Sequence, residues 1–227
     1  MPPARKIKID VGKDIGVVSG LWLRPPKAHA VVALAHGAGA GMTHPFMEAA
    51  ASAFAARGLA TLRYQFPYME QGKRMPGARA GLIATARAAV AEAVRRGAKL
   101  PVVAAGKSMG GRMTSLAAAE PEGLAGISGI AFLGFPLHAA KKTGTERADH
   151  LRELRNPMFF AQGTRDPLAP LSEIEPVVAA LGKRATLHVV EDGDHSFHVR
   201  KRSGRTVEQA LSEVADALSE WVDTLND

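Results

Sequence analysis

The stretch Val103–Met113 reads V-A-A-G-K-S-M-G-G-R-M, an apolar run that ends in three glycines around a single serine. Residues 106–110 fit G-x-S-x-G. That spacing suits a nucleophile on a sharp strand-to-helix turn, because small residues two positions either side let strand and helix pack closely around it. Two plainer readings compete. One is a glycine-rich turn with an incidental serine. The other is a phosphate loop, but Pro101 stands where G-x-x-x-x-G-K-[ST] needs its first glycine. A serine hydroxyl attacks poorly until a base takes its proton. The base is expected to be a histidine held in one tautomer by a carboxylate.

The chain offers eight histidines. His195 follows the apolar run 185–190 through E-D-G-D and comes after Ser108 in the chain. It is the favoured base, with His198 the runner-up. Asp149, Asp166, Asp192 and Asp194 lie between the two. Asp166 closes P-M-F-F-A-Q-G-T-R-D, an apolar run followed by a turn and Pro167. A carboxylate there can reach a histidine ring, so Asp166 is preferred over its alternative reading as a turn-capping aspartate. The transition state of acyl transfer also needs N–H donors aimed at the developing oxyanion. Met109, next to the serine, supplies one; the loop H-G-A-G-A-G at 36–41 supplies the other, assigned to Ala38. Lys107 and Arg112 flank the serine and are candidates for binding an anionic substrate, unless they brace nearby carboxylates or loops. Arg200, Lys201 and Arg202 follow His195. The run E-D-G-D-H-S-F-H could suggest a metal, but its histidines sit three apart in a loop with no further ligand set. No metal and no cofactor is expected.

These residues need a frame. Apolar runs at 6–10, 16–23, 31–35, 59–64, 101–105, 127–133, 157–161 and 185–190 read as strands. Helical patterns occupy 45–57, 78–96, 109–120 and 171–181, and a last helix starts near Thr206. Thr206 and Gln209 fit a capping box, and Val207, Ala210, Leu211, Val214, Leu218, Trp221 and Leu225 repeat at helical spacing as core. Alternating strands and helices imply one α/β domain over residues 1–227, a mostly parallel sheet with helices on both faces. Ligands bind such sheets at the carboxyl ends of the strands, where Ser108, His195, Asp166 and the 36–41 loop all fall.

The composition fits that frame. The chain has 227 residues, 46% hydrophobic and 22% charged, enough for one sizeable core. It has no cysteine, which excludes disulfides and thiolate metal sites. The first ten residues lack the apolar core of a secretory signal, and no run approaches the ~18 apolar residues of a membrane span. A cytoplasmic protein without membrane partners is expected. The net charge is +7, but aromatics are only 5% and no nucleic-acid-binding motif is present. Nucleic acid is not an expected partner.

Together H-G-A-G-A-G-M-T-H-P-F-M (36–47), F-P-Y-M-E (66–70), G-K-S-M-G-G-R-M (106–113), Q-G-T-R-D (162–166) and D-G-D-H-S-F (192–197) resemble the α/β-hydrolase superfamily. Within it the chain resembles the small dienelactone-hydrolase-related group that includes the Tex30-like and KANL3-like proteins. The resemblance implies an α/β-hydrolase fold with Ser108 as nucleophile, Asp166 as acid and His195 as base. The segment 135–147 is short and polar, so little or no lid is expected, with an open site for small soluble acyl substrates, anionic ones among them. The expected activity is cleavage of a carboxylic ester or related acyl bond. A peptidase or acyltransferase with the same triad, or a non-catalytic interaction module on the same fold, are the alternatives.

Overall fold

A computed structural model describes residues 2–225. Eight strands form one sheet in the order β1-β2-β4-β3-β5-β6-β7-β8. β1 (Arg5–Asp10) and β2 (Val17–Leu23) pair antiparallel at one edge, and β2 pairs antiparallel with β4 (Leu59–Tyr64). The other pairings are all parallel. They join β3 (Ala30–Ala35), β5 (Val102–Lys107), β6 (Gly129–Leu133), β7 (Met158–Gly163) and β8 (Ala185–Val190). β3, β4, β5, β6 and β7 are buried along their whole length. Their continuous apolar runs are what a strand covered on both faces requires.

Helices cover both faces. On one face lie α1 (Pro45–Ala56) and α6 (Val207–Asp223), packed on Val32, Leu34, Val103 and Ala105. On the other, α3 (Arg79–Gly97) and α4 (Met109–Ala119) pack on Val31, Ala33 and Ala104, and α5 (Leu171–Leu181) packs beside Ile130 and Phe160. α1 begins at His44, whose Nδ1 accepts from the Phe46 N–H, with proline at its first position. Both suit a helix start. The Thr206–Gln209 capping box forms as expected, with both reciprocal bonds in place. Trp221 closes the far end of α6 over Gly129, where a Cβ would lie 2.6 Å from the ring.

Several short elements escape the sequence patterns, among them 3₁₀ turns at Gly182–Arg184 and Lys201–Ser203. α2 (Pro67–Glu70) is a single turn, too short to carry a hydrophobic period. A 3₁₀ segment covers Glu146–Glu153. The 135–147 insert also differs from the polar strip expected there. Its first residues turn inward, and Phe135 and Leu137 are fully buried, with Phe135 edge-on to Phe132. That half of the insert is core, and among the described residues no lid covers the strand ends. β5 runs two residues further than expected, through Gly106 and Lys107, so the serine stands at the first residue beyond the strand.

Candidate active site

Ser108 has φ 52° and ψ −118°, a left-handed conformation that costs a non-glycine residue about 1–3 kcal/mol. The neighbouring glycines make it attainable. A Cβ at Gly106 would lie 2.2 Å from the Gly111 nitrogen, and one at Gly110 would lie 2.5 Å from the His36 carbonyl oxygen. Strand β5, helix α4 and the 36–41 loop therefore meet at backbone contact. The turn lifts the Ser108 hydroxyl clear of the sheet and sets the Met109 amide at the start of α4.

Ser108 Oγ lies 2.8 Å from His195 Nε2, and His195 Nδ1 lies 2.6 Å from Asp166 Oδ2. A carboxylate only accepts, so Nδ1 carries the ring proton and Nε2 is free to accept from the serine hydroxyl. Asp166 is 2% exposed. Its Oδ2 also accepts from Gln162 Nε2 at 2.6 Å, and its Oδ1 accepts from the Leu168 N–H at 2.8 Å. Three donors hold the carboxylate still while the histidine turns toward the serine. Gln162 was not singled out in the sequence. Its only signal there is its place in Q-G-T-R-D, four residues before the aspartate.

The loop carrying His195 is built around two other aspartates. Asp194 Oδ1 accepts from the N–H groups of Ser196 and His198. Asp192, at φ 57°, pairs with the Arg200 guanidinium and accepts from its N–H at 2.8 Å. Arg200 is thus a brace for this loop, and Asp192 is held near pKa 2, chiefly by its hydrogen bond with the Arg200 side chain. Gly163 and Gly193 let the loop approach β7, since a Cβ at Gly163 would lie 2.2 Å from the Gly193 carbonyl oxygen. His198 is largely exposed and contacts Asp194, so His195 is the ring that reaches the serine.

The 36–41 loop is fixed from beneath. His36 is fully buried; its Nδ1–H donates to the Gly37 carbonyl at 2.7 Å and its Nε2 accepts from the Phe66 N–H at 3.1 Å. Burial, partly offset by the Gly37 bond, lowers its pKa to about 4, so the ring is neutral and both bonds persist at neutral pH. Tyr68 Oη accepts from the Gly39 N–H at 3.0 Å, and Gln65 Oε1 accepts from the Met42 N–H at 2.8 Å. The end of β4 and the short α2 therefore buttress the loop. Among the described residues, the N–H groups of Ala38 and Met109 donate to no other backbone carbonyl. Both remain free for a ligand oxygen.

A cleft of about 300 Å³ opens beside the serine, lined by Ala38, His44, Phe46, Met47, Leu168 and His195 among others. Lys107 also lines it. Its Nζ is buried without a hydrogen-bond partner, 5.6 Å from the centre of the Phe46 ring. Burial lowers its pKa to about 8 against the opposing pull of Asp166 and Asp194. Arg112 is outside the lining of this cleft. It stands one turn along α4, where its N–H donates to the Ser108 carbonyl.

A family model described as an alpha/beta hydrolase domain matches residues 28–223. Among solved structures, a dienelactone hydrolase from Anabaena variabilis is similar, with TM-score 0.76 and 21% identity over 97% of this chain and 96% of that one. An alpha-beta serine hydrolase homologue from Coxiella burnetii gives TM-score 0.74 and 16% identity over 97% and 98%. A serine hydrolase described as lacking a lid, from Xanthomonas campestris, gives 0.72 and 18% over 97% and 96%.

Proposed function

We propose that this chain, which belongs to the α/β-hydrolase domain family, cleaves a carboxylic ester or related acyl bond of a small substrate through an acyl-enzyme at Ser108. The observation that carries the reading is the unbroken chain of contacts from Ser108 Oγ through His195 to Asp166. Ser108 Oγ attacks the acyl carbonyl as His195 Nε2 takes its proton. Asp166 stabilises the resulting imidazolium. The oxyanion lies against the N–H groups of Ala38 and Met109. The alcohol leaves with the proton from His195. Water then attacks the acyl-enzyme, gives a proton to His195, and the carboxylic acid departs as Ser108 regains its hydrogen. A cleft of about 300 Å³, near the lower end for ligand sites, and the lack of a lid among the described residues favour short acyl groups over long-chain lipids.

The test is labelling with a fluorophosphonate probe, followed by a panel of nitrophenyl esters of increasing chain length. Wild-type protein is expected to label at Ser108 and to prefer short chains, and Ser108→Ala to lose both label and turnover. Equal labelling of Ser108→Ala, or an unlabelled and inert wild type, overturns the reading in favour of a non-catalytic module.

A further inference from the structure

The acyl-transfer steps leave one nucleophile of the cleft without a task. Lys107 is buried, whereas every other lysine of the chain is exposed. It lines the cleft together with Phe46, Met47, Ser108 and Leu168. Three elements close around its amine. Phe46, at the start of α1, has its ring centre 5.6 Å from Nζ. At Gly134, just past β6, a Cβ would stand 3.2 Å from Nζ and 3.3 Å from His195 Nδ1, so the amine and the histidine ring border one small space. The acids that face it are Asp166 and Asp194, and neither bonds to it. Asp166 accepts from Gln162, Leu168 and His195, and Asp194 from the N–H groups of Ser196 and His198. Nζ is left with no hydrogen-bond partner.

Packing alone does not account for an amine here. Methionine would fill the same space without taking a charge out of water. What the site provides is what an amine needs in order to attack a carbonyl: an apolar surrounding, no competing hydrogen bond, and an adjoining cavity. Burial brings the pKa down to about 8. At pH 7.5 about one Lys107 in four is then neutral, against about one in a thousand for a lysine at its ordinary value. The four-carbon arm is flexible, so Nζ can swing toward the cleft without breaking a hydrogen bond.

We propose that Lys107 is a second nucleophile of this cleft and captures small apolar aldehydes as a reversible imine. Nζ attacks the aldehyde carbon, and the carbonyl oxygen becomes the hydroxyl of a carbinolamine. That oxygen then leaves as water with both amine hydrogens as the C=N bond forms. No oxidant or reductant is consumed. The body of the aldehyde lies against Phe46, Met47 and Leu168, where it blocks the approach of an ester to Ser108. Imine formation itself needs neither Ser108 nor the acyl-hydrolase reading.

Reductive trapping tests it. Wild type, Ser108→Ala and Lys107→Arg are incubated with butyraldehyde and sodium cyanoborohydride at pH 7.5, and adducts are located by peptide mass mapping. The hydride reduces an imine to a stable secondary amine and leaves a serine hemiacetal untouched, which tells the two adducts apart. Lys107 is expected to be alkylated about tenfold or more faster than any exposed lysine, in wild type and Ser108→Ala alike. Lys107→Arg keeps the charge and should lose the adduct. Nitrophenyl-ester turnover of the wild type should fall in step with alkylation. A Lys107 left unmodified, or modified no faster than the exposed lysines, overturns the proposal, and the wild-type map alone decides this if the variant fails to fold. An adduct that leaves ester turnover unchanged overturns its placement in the cleft. A Lys107 adduct in a protein that neither labels with fluorophosphonate nor hydrolyses esters overturns only the acyl-hydrolase reading.

Discussion

Replacing Lys107 with methionine is expected to stabilise the protein, and the size of the effect follows from where the ammonium sits. The side chain is 7% exposed and its Nζ has no hydrogen-bond partner. Burial brings its pKa from 10.5 down to about 8. Between those two values the unfolded chain binds a proton that the native state does not, so stability rises with pH across that window. Below about pH 8 both states are charged, and the native state bears the full penalty of a desolvated ammonium. At about 1.4 kcal/mol for each tenfold change in proton affinity, the penalty at pH 7 is about 3 kcal/mol. Methionine keeps a similar length and apolar packing against Phe46 and removes the charge. Lys107→Met should therefore gain about 3 kcal/mol at pH 7, or ~6–12 °C in Tm for a chain of this size. The assay is urea unfolding of both proteins at pH 7, 8.5 and 10. The gap should be widest at pH 7 and close as pH rises. A variant no more stable than wild type at pH 7, or a gap independent of pH, refutes the account of Lys107 as a buried and uncompensated charge.

Asp166→Asn should lower kcat by roughly 10³-fold. Oδ2 takes two donors and Oδ1 one, so the amide oxygen settles on the His195 side and keeps its tautomer. What is lost is a full charge beside the imidazolium, about 4 kcal/mol at 4 Å and an effective dielectric of 20. Pre-steady-state ester hydrolysis measures it, and a loss under tenfold contradicts the assignment. His36→Leu leaves the Phe66 N–H and Gly37 carbonyl unpaired, and should cost about 2–4 kcal/mol in urea unfolding at pH 7. His36 has its pKa lowered to about 4, so its contribution in the wild type is complete above pH 6.5 and fades as pH falls toward 4. The penalty in the variant should shrink over the same range. Gly110→Ala must move the backbone at His36, given a Cβ 2.5 Å from its carbonyl oxygen. A thermal melt lowered by several degrees, together with loss of turnover, is expected; a variant with wild-type melting and activity contradicts the packing.

Much of the fold was legible because its signals are local. Buried parallel strands read as continuous apolar runs, glycines stop the helices, and the Thr206 capping box marks a boundary to the residue. The serine, histidine and aspartate were legible for a different reason: each ends a strand, and strand ends share one edge of the sheet. What escaped depends on packing between distant segments. Gln162 matters because β7 aims it at Asp166, and His36 because its two ring nitrogens bond the backbone on either side of a loop junction. Nothing in a single sequence distinguishes such a histidine from one in any turn. Lys107 and Arg200 looked alike as cations flanking the site. One is buried without a partner and the other is tied to Asp192, a difference set by the partners the fold delivers and not by residue type. The polar look of 135–147 likewise concealed Phe135 and Leu137, because a few inward-facing side chains are diluted by K-K-T-G-T.

The arrangement of α6 has a consequence for how the chain is made. Strands β3 to β6 and the serine turn leave the ribosome first, yet the face of Val32, Leu34, Val103 and Ala105 that α1 only partly covers waits for Ala210, Val214, Leu218 and Trp221. His195 emerges just ahead of that helix. A nascent or truncated chain ending before residue 206 therefore presents a sticky apolar sheet face and has a poorly fastened His195 loop. Domains fold as units during synthesis, and such exposed surface invites aggregation. Docking of α6 then completes two things in one event: it removes the apolar face from water and anchors the loop that faces Ser108. The contact between Ser108 and His195 thus comes into place only once the last helix has closed the core.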